Sequence, residues 1–275
     1  MKKWILALLI SVGTITISEG QTYQEWIDRS YDYLEQERLE DAEECLRNAM
    51  RLEPGNPVNY ALLGNLGTIQ RRQGKIDEAL LSYTAALSRR PNDITLLNNR
   101  ALLYTEINDI DKAIIDYTVL LMEEPEHQEA LYRRGLLYLQ QRNWLLAEDD
   151  FEKLLDISKE SIRGLLGHAI LEKLRGNFDD SEQIYNHLIT RMPEELSFYE
   201  GRAELYFLMG KNARAMADVS KVFVGTAEPT AALYLLRGKI KLAQYENKTA
   251  VEDFQKALEL GYDPEIVAEL MQMAK

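Results

Sequence analysis

Apolar residues recur along this chain at helical spacing, and the pattern breaks at short, regular intervals. Between residues 60 and 90, Leu63, Leu66 and Gln70 mark one helical face, and Gly74-Lys75 interrupts it. Ile76, Ala79, Leu80, Tyr83 and Leu87 then follow at i, i+3, i+4, i+7 and i+11, the spacing of an amphipathic helix. Similar breaks recur at Asn108, Gly176 and Gly210, residues that favour helix ends. No segment alternates with period two over a strand's length, so the expected fold class is all-α.

These helical pairs are copies of one another. Ser30, Gly67, Ala101, Gly135, Ala169, Ala203 and Gly238 are separated by 37, 34, 34, 34, 34 and 35 residues. A second small column, Ala42, Ala79, Ala113, Ala147, Ser181, Ala215 and Ala250, repeats all six spacings. So do two bulky columns: Leu46, Tyr83, Tyr117, Phe151, Tyr185, Val219 and Phe254, and Trp26, Leu63, Leu97, Leu131, Leu165, Tyr199 and Tyr234. Independent columns with one common period are the mark of an internal repeat. Small residues let two helices approach closely, and a bulky side chain fills the space beside them. Pro54, Pro91, Pro125 and Pro193 close four units at matching places.

A 34-residue helix-turn-helix unit with these columns resembles the tetratricopeptide repeat. Seven units can be counted: 23–56, 60–93, 94–127, 128–161, 162–195, 196–229 and 231–264, with residues 265–275 as a C-terminal capping helix. The chain departs from the pattern at Glu172 and Lys241, where tyrosine is usual, and at Glu37, where a turn glycine is absent. The resemblance implies an α-solenoid, a right-handed superhelix whose first helices line a concave groove. Such grooves hold a peptide or a helix of a partner protein.

The first twenty residues read differently. Lys2 and Lys3 precede an apolar stretch from Trp4 to Ile17, and Ser18-Glu19-Gly20 supplies the small-x-small exit of a secretory signal peptide. The stretch is 14 residues long, short of the roughly 20 that a spanning helix needs. Residues 1–20 are therefore expected to be removed on export, leaving a periplasmic or secreted protein with no stable membrane anchor.

Charge narrows the partners. Among 275 residues, 32 are Lys or Arg and 45 are Asp or Glu, a net charge of −13. Phosphate backbones would repel such a chain, so no nucleic-acid partner is expected. Catalytic chemistry finds no foothold in the motifs. His127, His168 and His187 fit no metal-ligand spacing, and Cys45, the single cysteine, sits inside a predicted helix as a small core residue. Gly74-Lys75 and Gly210-Lys211 lack the rest of a phosphate loop. No enzyme activity, metal or cofactor is expected.

One charged pattern does repeat. Arg100 and Asp116, Arg134 and Asp150, Arg202 and Asp218, and Arg237 and Asp253 are each 16 residues apart. Units lacking the arginine lack the aspartate too: Leu66 stands opposite Ser82, and His168 opposite Ile184. Only Arg29, opposite Cys45, breaks the rule. An ion pair between the two helices of one unit is the reading this covariation supports, ahead of an arginine ladder for an acidic ligand.

The remaining outward positions of the first helices are the candidate groove: Asn65, Arg71, Asn98, Asn99, Tyr132, Arg133, Arg163 and Lys173. Some members of the resembled family grip a C-terminal carboxylate there with lysines, asparagines and an arginine. Asn99 and Arg133 match two of those places, but Gly64, Thr68 and Glu129 occupy others, which argues against a carboxylate clamp. The basic members of the set would instead favour an acidic segment of a partner. The expected function is a non-catalytic adaptor of the bacterial cell envelope that binds protein partners. The alternative is an accessory protein holding a small ligand or cell-wall glycan, for which the groove offers few aromatics, Tyr31 and Tyr132. Intact-mass analysis of the protein from its native host is expected to find a chain beginning at Gln21; a mass that retains Met1–Gly20 overturns the export reading.

Overall fold

A computed structural model describes residues 21–275; the expected signal peptide, residues 1–20, lies outside the described residues. Among the described residues there are fifteen α-helices and no strand. The chain divides into two compact units, the first ending at Leu103 and the second running from Tyr104 to Lys275.

The first unit holds α1 (Tyr23–Glu35), α2 (Leu39–Leu52), α3 (Asn59–Arg72), α4 (Ile76–Arg89) and most of α5 (Ile94–Glu106). Successive helices α1 to α4 pack on one another. Thr22 starts α1 with a reciprocal capping box, its hydroxyl accepting from Glu25 N while the Glu25 carboxylate accepts from Thr22 N. Tyr23, Ile27, Leu46, Leu62, Leu66 and Ile69 interlock between α1, α2 and α3.

The second unit continues with α6 (Ile110–Glu123), α7 (Gln128–Gln140), α8 (Trp144–Ile157), α9 (Ile162–Arg175) and α10 (Phe178–Arg191). It ends with α11 (Leu196–Leu208), α12 (Asn212–Gly225), α13 (Ala231–Ala243), α14 (Asn247–Glu259) and α15 (Pro264–Met273). Each helix from α6 on packs against the next, and first helices also meet directly, α7 with α9 and α11 with α13. The last helix begins at Pro264 because Asp263 caps it, accepting from Glu265 N at 2.8 Å with proline at the first turn.

One turn geometry closes the first helix of every pair. Glu37, Gly74, Asn108, Arg142, Gly176, Gly210 and Tyr245 all have left-handed φ, between 58° and 85°. The next residue's N–H then reaches back five residues, as in Lys75 N to Gln70 O at 2.8 Å and Glu246 N to Lys241 O at 2.9 Å. That bond satisfies carbonyls that the helix end leaves open.

The small columns sit where helices touch. A Cβ on Gly67 would lie 2.9 Å from the Tyr83 ring, one on Gly135 2.4 Å from Phe151, and one on Gly238 2.5 Å from Phe254. All three rings are fully buried. An added methyl at Gly135 must therefore push a ring that has nowhere to go, at about 1–3 kcal/mol, against a helix-propensity gain of about 1 kcal/mol. Gly135→Ala is expected to lower Tm, and Phe151→Leu to relieve part of that loss in the double variant. Gly55→Ala, which meets nothing within 4 Å, serves as the silent control in the same thermal melt.

Candidate functional site

In the first unit, the outward faces of α3 and α5 form a groove of about 210 Å³. Tyr60, Ala61, Gly64, Asn65, Leu96 and Asn99 line it. Gly64 shapes it: a Cβ there would lie 2.4 Å from Leu96 Cδ2, so a larger residue would have to push the end of the Leu96 side chain aside. Asn65 and Asn99 stand one repeat apart on the two walls. Asn65 donates weakly to the Tyr31 hydroxyl of the preceding repeat at 3.4 Å. The Asn99 carboxamide makes no hydrogen bond among the described residues, leaving a donor and an acceptor open. Asn98, its neighbour, turns inward instead; its Oδ1 is buried without a partner among the described residues. Arg71 lies in the last turn of α3.

In the second unit the expected site residues are already engaged. Glu129 takes both arginines, one per carboxylate oxygen: Arg133 Nε at 2.5 Å and Arg163 Nη2 at 2.6 Å. Lys173 is only 9% exposed and pairs with Glu204 at 2.5 Å, joining α9 to α11. Tyr132 is half-buried, its ring 6.3 Å from that of Phe151, and burial pushes its hydroxyl pKa up. Three of the expected cations are thus held inside the fold by carboxylates, which lowers the attraction this face exerts on an acidic segment. Sequence offsets carried a signal for these bridges: Glu129 and Arg163 are 34 residues apart, one full repeat.

The repeated Arg/Asp pattern forms bidentate forks. Arg134 donates through Nε and Nη2 to Asp150 at 2.9 and 2.6 Å, and Arg202 likewise to Asp218, both at 2.8 Å. Arg237 grips Asp253 at 2.9 and 2.5 Å. The fourth combination, Arg100 with Asp116, straddles the division between the two units. The third nitrogen, Nη1, reaches back 16 residues to the preceding repeat: Thr84 from Arg100, Thr118 from Arg134 and Asn186 from Arg202. Each of these arginines therefore ties its own first helix to the second helix before it. Arg237 differs, lying 3.7 Å over the Phe223 ring. Where the repeat has Leu66 and Ser82 instead, Ser82 donates to Gln70, and the buried Glu43 accepts from Arg47, Gln70 and Lys75. Burial pushes the Glu43 carboxyl up, yet those donors outweigh it and hold the group below its ordinary range. Glu148 and Glu182 stand at the same repeat position as Glu43 and pair with Arg175 and Lys211, so a glutamate recurring after the small residue of the second helix was a signal the sequence reading missed.

The histidines have structural roles. His127 Nδ1 caps α7 by accepting from Ala130 N, His168 packs on Phe151 with burial lowering its pKa, and His187 pairs with Glu160. Cys45 is buried. Among the described residues no group of three or more His, Cys, Asp or Glu could hold a metal, and no helix is long and apolar enough to cross a membrane.

The tetratricopeptide repeat family model matches residues 27–94, 65–121 and 98–162. A solved tetratricopeptide repeat protein from Parabacteroides merdae ATCC 43184 is 60% identical, with TM-score 0.87, over 93% of this chain and 99% of that one. The chain belongs to the tetratricopeptide repeat family. Among curated proteins, human Tetratricopeptide repeat protein 6 is 28% identical over 115 residues, 42% of this chain; the matched part is 22% of that protein's length. The Cut9–Hcn1 assembly contains a chain with TM-score 0.66 at 12% identity, covering 91% of this chain and 55% of that one, a likeness of fold alone. Tetratricopeptide repeat proteins are generally non-catalytic and typically bind protein partners.

With all three fork nitrogens of Arg134 engaged, little remains for a ligand. Arg134→Ala and Asp150→Ala are each expected to lose about 3–5 kcal/mol, since each leaves a buried charge unpaired. The double variant is expected to lose less than the sum, as residues sharing one interaction do. Denaturant melts of the four proteins check this; strict additivity overturns it.

Proposed function

We propose that this tetratricopeptide repeat protein is a non-catalytic adaptor of the bacterial cell envelope. In this reading it is exported by residues 1–20 and holds a partner's extended segment on the α3/α5 face. The observation that carries the reading is the pair Asn65 and Asn99, one repeat apart, over the floor that Gly64 opens. A carboxamide offers a donor and an acceptor together, so it can pair with a peptide unit whatever side chain that unit bears. A protein that presents two such groups at repeat spacing is suited to gripping backbone. Tyr60 and Leu96 supply the apolar surface beside them. The 60% identical relative comes from a bacterium, in keeping with the envelope assignment suggested by the first twenty residues.

Replacing Asn65 and Asn99 together by alanine is expected to keep the helical circular dichroism, because alanine suits a helix. The same variant is expected to bind a co-purified native partner at least tenfold more weakly, about 1.4 kcal/mol. Unchanged affinity in the folded double variant moves the adaptor site elsewhere.

A further inference from the structure

A second groove lies at the other end of the chain, within the second unit, and its chemistry is the opposite of the α3/α5 face. Phe207, Leu242, Ala243, Leu270 and Met273, from α11, α13 and α15, line a largely apolar hollow of about 550 Å³ with Tyr245 at the rim. It is continuous, through Phe207 and Lys239, with a second hollow of about 260 Å³ lined by Leu208, Leu235 and Tyr262. Much of this surface faces water: Met273 is 70% exposed and Leu208 56%.

Two features set this groove apart from a merely unfinished core. The first is Lys239. It lies between the two hollows and makes no ion pair among the described residues. Glu204, which lines the smaller hollow, is taken by Lys173. The cation therefore stands uncompensated in apolar surroundings. The second is Tyr245. It occupies the left-handed turn with φ 65° and is 91% exposed. The same turn position is glycine at 74, 176 and 210, the residue that adopts this backbone without cost. A bulky aromatic there is a backbone outlier that contributes nothing to the core.

We infer that this groove docks a partner-protein segment in which an Asp or Glu side chain is flanked on both sides by bulky apolar residues. The acid answers Lys239, and the flanking side chains fill the two hollows. Because apolar surface continues on both sides of Lys239, the segment passes through with an internal acid instead of ending there on a terminal carboxylate. The openness of both hollows also suits a polypeptide better than a fatty acid, whose tail would stay in water. Tyr245 closes over one flank as a rigid aromatic contact. The inference rests on the adaptor reading but uses a different face, so the two can fail separately.

Panning a random twelve-residue peptide library on the purified protein tests it. Enriched sequences are expected to hold an internal Asp or Glu between bulky apolar residues. Against Lys239→Glu the same position is expected to select Lys or Arg. A synthetic peptide from the first selection should bind Lys239→Glu at least tenfold more weakly, and its Glu-to-Lys counterpart should regain affinity for that variant. Tyr245→Gly is expected to raise Tm by about 2–4 °C while weakening the peptide severalfold, separating recognition from folding. The Asn65/Asn99 double alanine variant should bind this peptide normally, whatever becomes of the α3/α5 face. No enriched sequence, enrichment without an acid, or a charge preference untouched by Lys239→Glu overturns the inference. So does palmitate displacing the peptide, or a solution dimer that Met273→Glu splits, which would give the groove to a second copy.

Discussion

The fold rests on one repeated contact: a residue with little side chain on a first helix lies flush against the bulky residue of the second. At Gly135 the clearance is so small that a Cβ would stand 2.4 Å from the Phe151 ring, and a Cβ on Gly167, from the next first helix, would stand 2.3 Å from the same ring. A ring pinned from two sides fixes the spacing of three helices together. Stacked repeats inherit that spacing from neighbour to neighbour, because each touches chiefly the units beside it. The Arg forks depend on it. A bidentate grip with both distances near 2.8 Å, as at Arg202 and Asp218, requires helix separation held to a few tenths of an ångström.

The forks in turn show why the charged inventory of the chain is a poor guide to its ligand. A buried carboxylate such as Asp150 must be compensated, and the nearest cation is drawn in to do so. The same demand operates at half-exposed positions, where Glu129 collects two arginines and Glu182 collects Lys211 and Arg214. In a protein with 45 acidic residues against 32 basic ones, most cations find an internal partner. Lys239 is informative because it does not.

Legibility follows repetition. The small and bulky columns, the turn positions and the Arg/Asp covariation could be read from the sequence because packing demands them again in each unit. One observation of a glycine means little; several at one spacing define a contact. Site residues have no such amplification. The asparagine of Asn65 and Asn99 recurs only twice, and Lys239 and Tyr245 occur once each at their positions. Outwardness on a first helix was readable, but engagement was not. Lys173 looks like a free cation until α9 and α11 are placed side by side and Glu204 comes within 2.5 Å. Asn98 and Asn99 are adjacent in sequence, yet the 100° step between helical neighbours sends one inward and the other into the groove.

The left-handed turn shows how far a repeat can be bent to a local purpose. All seven turns share the backbone, but glycine takes that position in only three, with asparagine, glutamate, arginine and tyrosine in the others. For an L-residue with a full side chain the conformation costs about 1–2 kcal/mol. The chain can bear that cost because each turn is also closed by a bond reaching back five residues and by the packing of the helices on either side. Glu37 recovers part of it through its bridge to Arg72 in the next repeat. Tyr245 has no such bridge among the described residues, and its ring is 91% exposed. A cost that nothing inside the fold offsets points outward, to a contact that the isolated chain does not contain. Strain and surface chemistry thus converge on the groove of α11, α13 and α15 by separate routes, one through the backbone of a turn and the other through an uncompensated charge.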